Sequence, residues 1–179
     1  NRWACFDQRT GTQTQQADSI TYTLVPGAAI NSVAFINLSA ASVRIKLTDP
    51  VDGVVYDTTT STTVGALEGD WDSYFFDSVT RKSDVVVQGI PSYPAATVDI
   101  TITHTGSTAK VGVIALGRAI ELGIAEYGAS FGITDYSVKT VDDFGGYTIT
   151  RRAFSKRVAF NIKVAKEIVD SVAALLTEL

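Results

Sequence analysis

From residue 19 to residue 117 apolar side chains keep returning at every second position, a period that suits a half-buried strand and not a helix. The clearest run is ATVDITITHT (96–105), where Val98, Ile100 and Ile102 share one face and Asp99, Thr101 and Thr103 the other. SVRIKLT (42–48) repeats the arrangement, with Val43, Ile45 and Leu47 opposite Arg44, Lys46 and Thr48. In ITYTLVPG, Ile20, Tyr22 and Leu24 alternate with Thr21, Thr23 and Val25 until Pro26-Gly27 ends the strand. Faces of this kind must be covered by a second layer, so the pattern points to a sandwich or jelly roll.

The punctuation between runs agrees. SVAFINLS (32–39) and SVRIKLT are separated only by Ala40-Ala41, which predicts that they pair as a hairpin. Asp49-Pro50-Val51-Asp52-Gly53 is a turn, because Pro fixes φ and Gly accepts the left-handed region, and VVYDTTTST (54–62) returns from it. Residues 64–72 read as a loop ahead of SYFFDSV and RKSDVVVQGI, and Pro91 and Pro94 bracket Tyr93 in a rigid corner. Gly106-Ser107 reads as a turn leading to AKVGVIALG (109–117). About eight strands at spacings of roughly 8–12 residues predict a jelly-roll-like β-sandwich over 19–117. Ahead of it, residues 1–18 form a polar arm or linker in which Trp3 and Phe6 are spaced to dock, either as an ordered lead-in strand or as a clasp on a partner.

Gly117 marks a change. GRAIELGIAEYGASFG carries four glycines at irregular spacing, which suits bulges or a crossing strand. A long hairpin follows over Ser130–Val164: ITDYSVKTV runs out, Asp142-Asp143-Phe144-Gly145-Gly146 turns, and YTITRRAF and SKRVAFNIKV return. The chain closes on a helix in which Ile168, Val169, Val172, Leu175, Leu176 and Leu179 recur at helical spacing, with Lys166 and Asp170 an i,i+4 pair. Residues 118–179 are therefore expected to be a second β-rich domain with a long hairpin and a C-terminal amphipathic helix. No Gly, Asn or Pro caps that helix and the sequence contains no Met, which predicts a processed N-terminus or a piece of a longer polypeptide.

Composition narrows the function classes. With 179 residues, 45% hydrophobic and 19% charged, the chain can bury a sizeable core and is not a disordered one. No apolar run approaches a membrane-spanning helix. A net charge of −4 argues against a general nucleic-acid binder. One Cys and one His exclude a disulfide framework and an ordinary Cys/His zinc site.

No constellation amounts to an active site. Asp49/Asp52 and Glu68/Asp70/Asp72 supply carboxylates in loops, but Asp beside Gly or Pro is ordinary turn chemistry, and two loop acids, Asp70 and Asp72, fall short of a calcium ligand set. His104 ends a strand and reads as a surface residue. We expect no catalytic residue, no metal and no cofactor. Trp71, Tyr74 and Tyr93 are the candidate glycan contacts, since amphipathic rings beside loops suit sugar stacking, although SYFFDS must also bury part of its apolar run. The basic cluster Arg151, Arg152, Lys156 and Arg157 has three readings: a solvated strand face, a nucleic-acid contact or an assembly interface. The solvated face is the default, and of the two functional readings the interface fits better, with Asp142 and Asp143 at the hairpin tip as its opposite pole between neighbouring copies in a ring.

The segments NRWACFDQRTGTQT, DPVDGVVYD, GDWDSYFF and above all GRAIELGIAEYGASFGITDYSVKT with RAFSKR resemble a family of tailed-bacteriophage and prophage structural proteins. The similarity covers nearly the whole chain. The resemblance implies a virion protein of the distal tail, tail tip or baseplate, without enzymatic activity, oligomeric and in contact with other tail, baseplate or fibre proteins. Family members are often labelled carbohydrate-binding, which keeps recognition of a host-surface glycan as the alternative. That label traces to a segment preceding NRW in longer members and is not carried over to Trp71. No nucleic-acid or membrane partner is expected.

Overall fold

Strand formation follows the two-residue period closely enough that the protein is mainly β, built from antiparallel sheets with a short C-terminal helix. The computed structural model describes residues 1–7, 9, 11–64, 80–152 and 154–178. They fall into two units, Asn1–Ala119 and Ile120–Leu179.

In the first unit a 3-10 turn at Ala4–Phe6 is followed by β1 (Thr14–Leu24), β2 (Ser32–Ile36), β3 (Ser42–Asp49), β4 (Gly53–Ser61), β5 (Thr63–Val64), β6 (Thr80–Arg81), β7 (Val85–Gln88), β8 (Thr97–Val111) and β9 (Val113–Gly117). One sheet has the order β1-β8-β3-β4 and another β7-β2-β9, while β5 and β6 form a short pair. The inward residues of both larger sheets meet in one core: Ile20, Tyr22, Val33, Phe35, Val43, Ile45, Leu47, Val85, Val98, Ile100, Ile102 and Ile114 are all buried in it. Each large side chain withdrawn from water in this way contributes about 1.5–3 kcal/mol. The register carries the alternation across the sheet, with Ile20 opposite Ile102 and Tyr22 opposite Ile100 in β1–β8, and Ile45 opposite Ile100 in β3–β8.

Three local expectations are corrected. Residues 32–39 and 42–48 do not pair as a hairpin, because β2 and β3 belong to different sheets. Between them Asn37 takes φ +56°, Leu38 and Ala40 are buried, and the crossing backbone bonds to other segments: Leu38 N–H donates to Ser83 O (2.7 Å) and Ala41 N–H to Thr103 O (2.8 Å). The short Ala-Ala connection is thus a step from one layer to the other. Nor does Gly106-Ser107 end a strand. β8 runs on to Val111, and Gly106 (φ +72°) sits in a bulge where its N–H donates to the Asp18 carboxylate (2.8 Å), itself at φ +61° opposite the irregularity in β1. His104, expected at the surface, continues the inward series and is 8% exposed, and its Nδ1 has no hydrogen-bond partner among the described residues.

The lead-in segment lies on its own unit. Trp3, Phe6 and Tyr22 stack with ring centroids 5.4–6.1 Å apart. The Tyr22 hydroxyl donates to Arg2 O (2.7 Å) and accepts from the Cys5 thiol (3.2 Å), while Thr14 Oγ1 donates to Asn1 O (3.1 Å). Pairing of β1 begins at Thr14, within the segment expected as an arm, because Gln15 and Gln16 pair through their backbones with Lys110 and Ala109.

Candidate functional site: an exposed β-ribbon

The second unit is built from two arms of one long hairpin. Outgoing are β10 (Ile124–Ala125), β11 (Ser130–Asp135) and β12 (Val138–Val141); returning are β13 (Tyr147–Thr150), β14 (Phe154–Ala159) and β15 (Ile162–Lys163). They pair as β12–β13 nearest the turn, then β11–β14, then β10–β15, all antiparallel. Gly123 (φ +143°) leads into the last pair, where a Cβ would meet Lys163 O at 2.5 Å, so that approach requires glycine. A 3-10 turn (Lys166–Ile168) then leads into α1 (Val169–Glu178). Val172 and Leu175 are half-buried and Leu176 is exposed; Lys166 and Asp170 do not pair, the only ion pair among the described residues being Arg44–Asp57.

The ribbon's register sorts its side chains. On β11–β14, Phe131, Ile133 and Asp135 share a face with Val158, Lys156 and Phe154, while Ser130, Gly132 and Thr134 share the other with Ala159, Arg157 and Ser155. On β12–β13, Lys139, Ile149, Val141 and Tyr147 share a face, and the Lys139 ammonium lies 4.5 Å from the centre of the Tyr147 ring. Each of these two segments therefore has one face carrying most of its large apolar side chains. Among the described residues from Ile120 to Thr177 none is buried, so these faces stand open.

The six expected interface residues separate into distinct roles. Asp142 closes the turn: its carboxylate accepts from Phe144 N–H (3.0 Å) and Gly146 N–H (2.6 Å), and its own N–H donates to Gly146 O (2.8 Å). Of the two glycines, Gly145 takes φ +81°, whereas at Gly146 a Cβ would lie 2.7 Å from Asp142 Oδ2 and would displace the carboxylate that holds the turn. Asp143 makes no hydrogen bond or ion pair with any described residue, and Phe144 beside it is 98% exposed. Lys156 and Arg157 point to opposite faces, so RRAFSKR is not one basic surface. Arg151 and Arg152 sit where the ribbon is interrupted between β13 and β14.

That interruption has its own geometry. Ser137 N–H donates to the Asp135 carboxylate (2.8 Å), Ser137 Oγ accepts from Arg152 N–H (3.1 Å), and the Tyr136 and Ser155 hydroxyls are 3.2 Å apart. The Ser137 hydrogen bonds hold the Asp135 carboxyl below the usual carboxylate range. A groove of about 350 Å³ opens there, lined by Ile133, Asp135, Ser137, Ile149, Arg151, Arg152 and Phe154. Composition and periodicity did not reveal this groove or Phe144. The signal available was an aromatic residue inside DDFGG, where a tight turn offers a side chain nothing to pack against.

Of the candidate glycan contacts, Trp71 and Tyr74 lie outside the described residues, as do Glu68, Asp70 and Asp72. Tyr93 is half-buried and packs against the sandwich core. Asp49 accepts from the N–H groups of Val51 (2.9 Å) and Asp52 (3.2 Å), which is the turn chemistry its sequence neighbours predict. Among the described residues no cluster of three or more His, Cys, Asp or Glu is arranged to hold a metal ion.

No protein-family model matches this chain, and no curated protein matches it. Among solved structures, a selenomethionine-labelled variant of chitosan-binding module 1, from a chitosanase/glucanase of Paenibacillus sp. IK-5, is similar to 64% of this chain and 82% of its own length, at 14% identity and a TM-score of 0.40. A superposition of that quality leaves both fold family and function unassigned.

Proposed function

We propose that this chain is a non-enzymatic assembly protein whose second unit gains its buried surface against other chains, and that its setting is the one the sequence resemblance implies, the tail tip or baseplate of a phage particle. The observation that carries the assembly reading is the ribbon from Ile124 to Lys163, where Phe131, Ile133, Val141, Tyr147, Ile149, Phe154 and Val158 are all exposed. A two-stranded ribbon alone is at best marginally stable in water, and large exposed apolar faces on a folded protein mark contact surfaces. Sedimentation velocity tests the reading. The chain 1–179 is expected to form discrete oligomers as concentration rises, and a chain ending at Ala119 to remain monomeric. A monomeric 1–179 at every concentration contradicts it.

The alternative is a carbohydrate-binding module acting through Trp71, Tyr74 and Tyr93. Chitosan, which the similar solved module is named for binding, supplies a practical probe for it. Saturable binding of chitosan oligosaccharide or host polysaccharide, lost on Trp71→Ala with assembly unchanged, is the outcome that would favour it.

A further inference from the structure

We infer that the ribbon tip of one copy, Asp143–Phe144, docks into the groove of a second copy, with the Phe144 ring against Ile133, Ile149 and Phe154 and the Asp143 carboxylate on Arg151 and Arg152. This rests on the assembly reading and names the surfaces that would meet.

The tip is built to present these two side chains. Asp142 spends its carboxylate on Phe144 N–H and Gly146 N–H, which fixes the turn and leaves the next acid without a partner among the described residues. Phe144 is 98% exposed, so its ring packs against none of the described residues of its own chain. An aromatic beside a charge, presented on a hydrogen-bonded turn, is the kind of group that anchors an interface.

The groove is complementary in both respects. Its walls are the aliphatic and aromatic side chains of Ile133, Ile149 and Phe154, and its volume of about 350 Å³ lies at the small end of ligand-sized pockets. It holds two guanidinium groups and one carboxylate, Asp135, which already accepts from Ser137 N–H, so the lining keeps a net positive charge. Neither Arg151 nor Arg152 forms an ion pair with a described residue. An incoming carboxylate offers them the planar, two-oxygen partner that Arg binds best.

A chain does not fill its own groove. Phe144 is 98% exposed, and the Val141–Tyr147 pair lies between the turn and Ile149, the groove wall nearest the tip along the ribbon. The occupant is therefore a second copy.

The test uses the full chain. A benzophenone-bearing phenylalanine at position 144 keeps the aromatic anchor, and the tagged protein is irradiated with an isotopically labelled unmodified copy. Cross-links from position 144 to the labelled copy's residues 133–154 are expected. Asp143→Arg and Arg152→Asp should each raise the half-assembly concentration about tenfold or more, and their combination should restore it; a folding defect would not be rescued by a second reversal. Wild-type assembly with unchanged half-assembly concentrations for Asp143→Arg and Phe144→Ala, or with cross-links elsewhere, overturns the inference while the assembly reading survives. A wild-type chain that never assembles removes both.

Discussion

Tyr22 shows how one side chain ties the lead-in segment to the sandwich. It is 1% exposed, and its hydroxyl is held between the Arg2 carbonyl and the Cys5 thiol. Burial, with the Cys5 hydrogen bond adding to it, pushes its pKa up to about 12 against the smaller opposing influence of Thr14 and Arg2. A raised folded-state pKa means that the native protein holds this proton more tightly than the unfolded chain does. Its stabilising contribution is complete below about pH 10 and disappears as pH rises from there through 12. Thermal melts across that range should show stability falling with pH, and Tyr22→Phe should remove that part of the slope while costing about 1–2 kcal/mol at neutral pH. A slope unchanged in the variant would place the titration elsewhere. Residue roles were only partly legible in sequence. Asp49 announces its turn because Pro and Gly flank it, whereas His104 misleads. Thr105-Gly106 resembles a strand end, but the Asp18 carboxylate captures Gly106 N–H and lets β8 continue, keeping His104 inward.

At the scale of elements, alternation identifies strands and is silent about which strands pair. β3 and β4 join through a real turn, and Gly53 takes the φ of +74° that Asp52-Gly53 predicts. The short link between β2 and β3, residues 37–41, instead crosses layers, because burying Leu38 and Ala40 in the core competes with hairpin closure. Centrality is likewise invisible in sequence. β8 lies between β1 and β3, with Ile100 fully buried opposite Tyr22 and Ile45. Ile100→Ala should therefore cost about 2–5 kcal/mol, read as a lower urea midpoint at constant m-value. A loss below about 1 kcal/mol would mean that the two sheets are not packed through this position.

Across the whole molecule, the same kind of sequence builds two units of opposite character. In Asn1–Ala119 the inward positions of two sheets meet and are buried, whereas in Ile120–Leu179 strands form as well and none of the described residues with an assigned burial is buried. The long hairpin was legible because Gly145-Gly146 and the flanking alternation mark it. Its lack of a covering layer was not, since a pattern says which face is apolar and not what meets it. We propose that other copies supply this layer. Hydrogen exchange on the full chain, followed by mass spectrometry below and above the half-assembly concentration, tests it most directly. Amides of β11–β14 and β12–β13 are predicted to exchange rapidly in the dilute monomer and to become protected on assembly, with β8 protected in both. Equal protection of the ribbon in the dilute monomer would contradict the account.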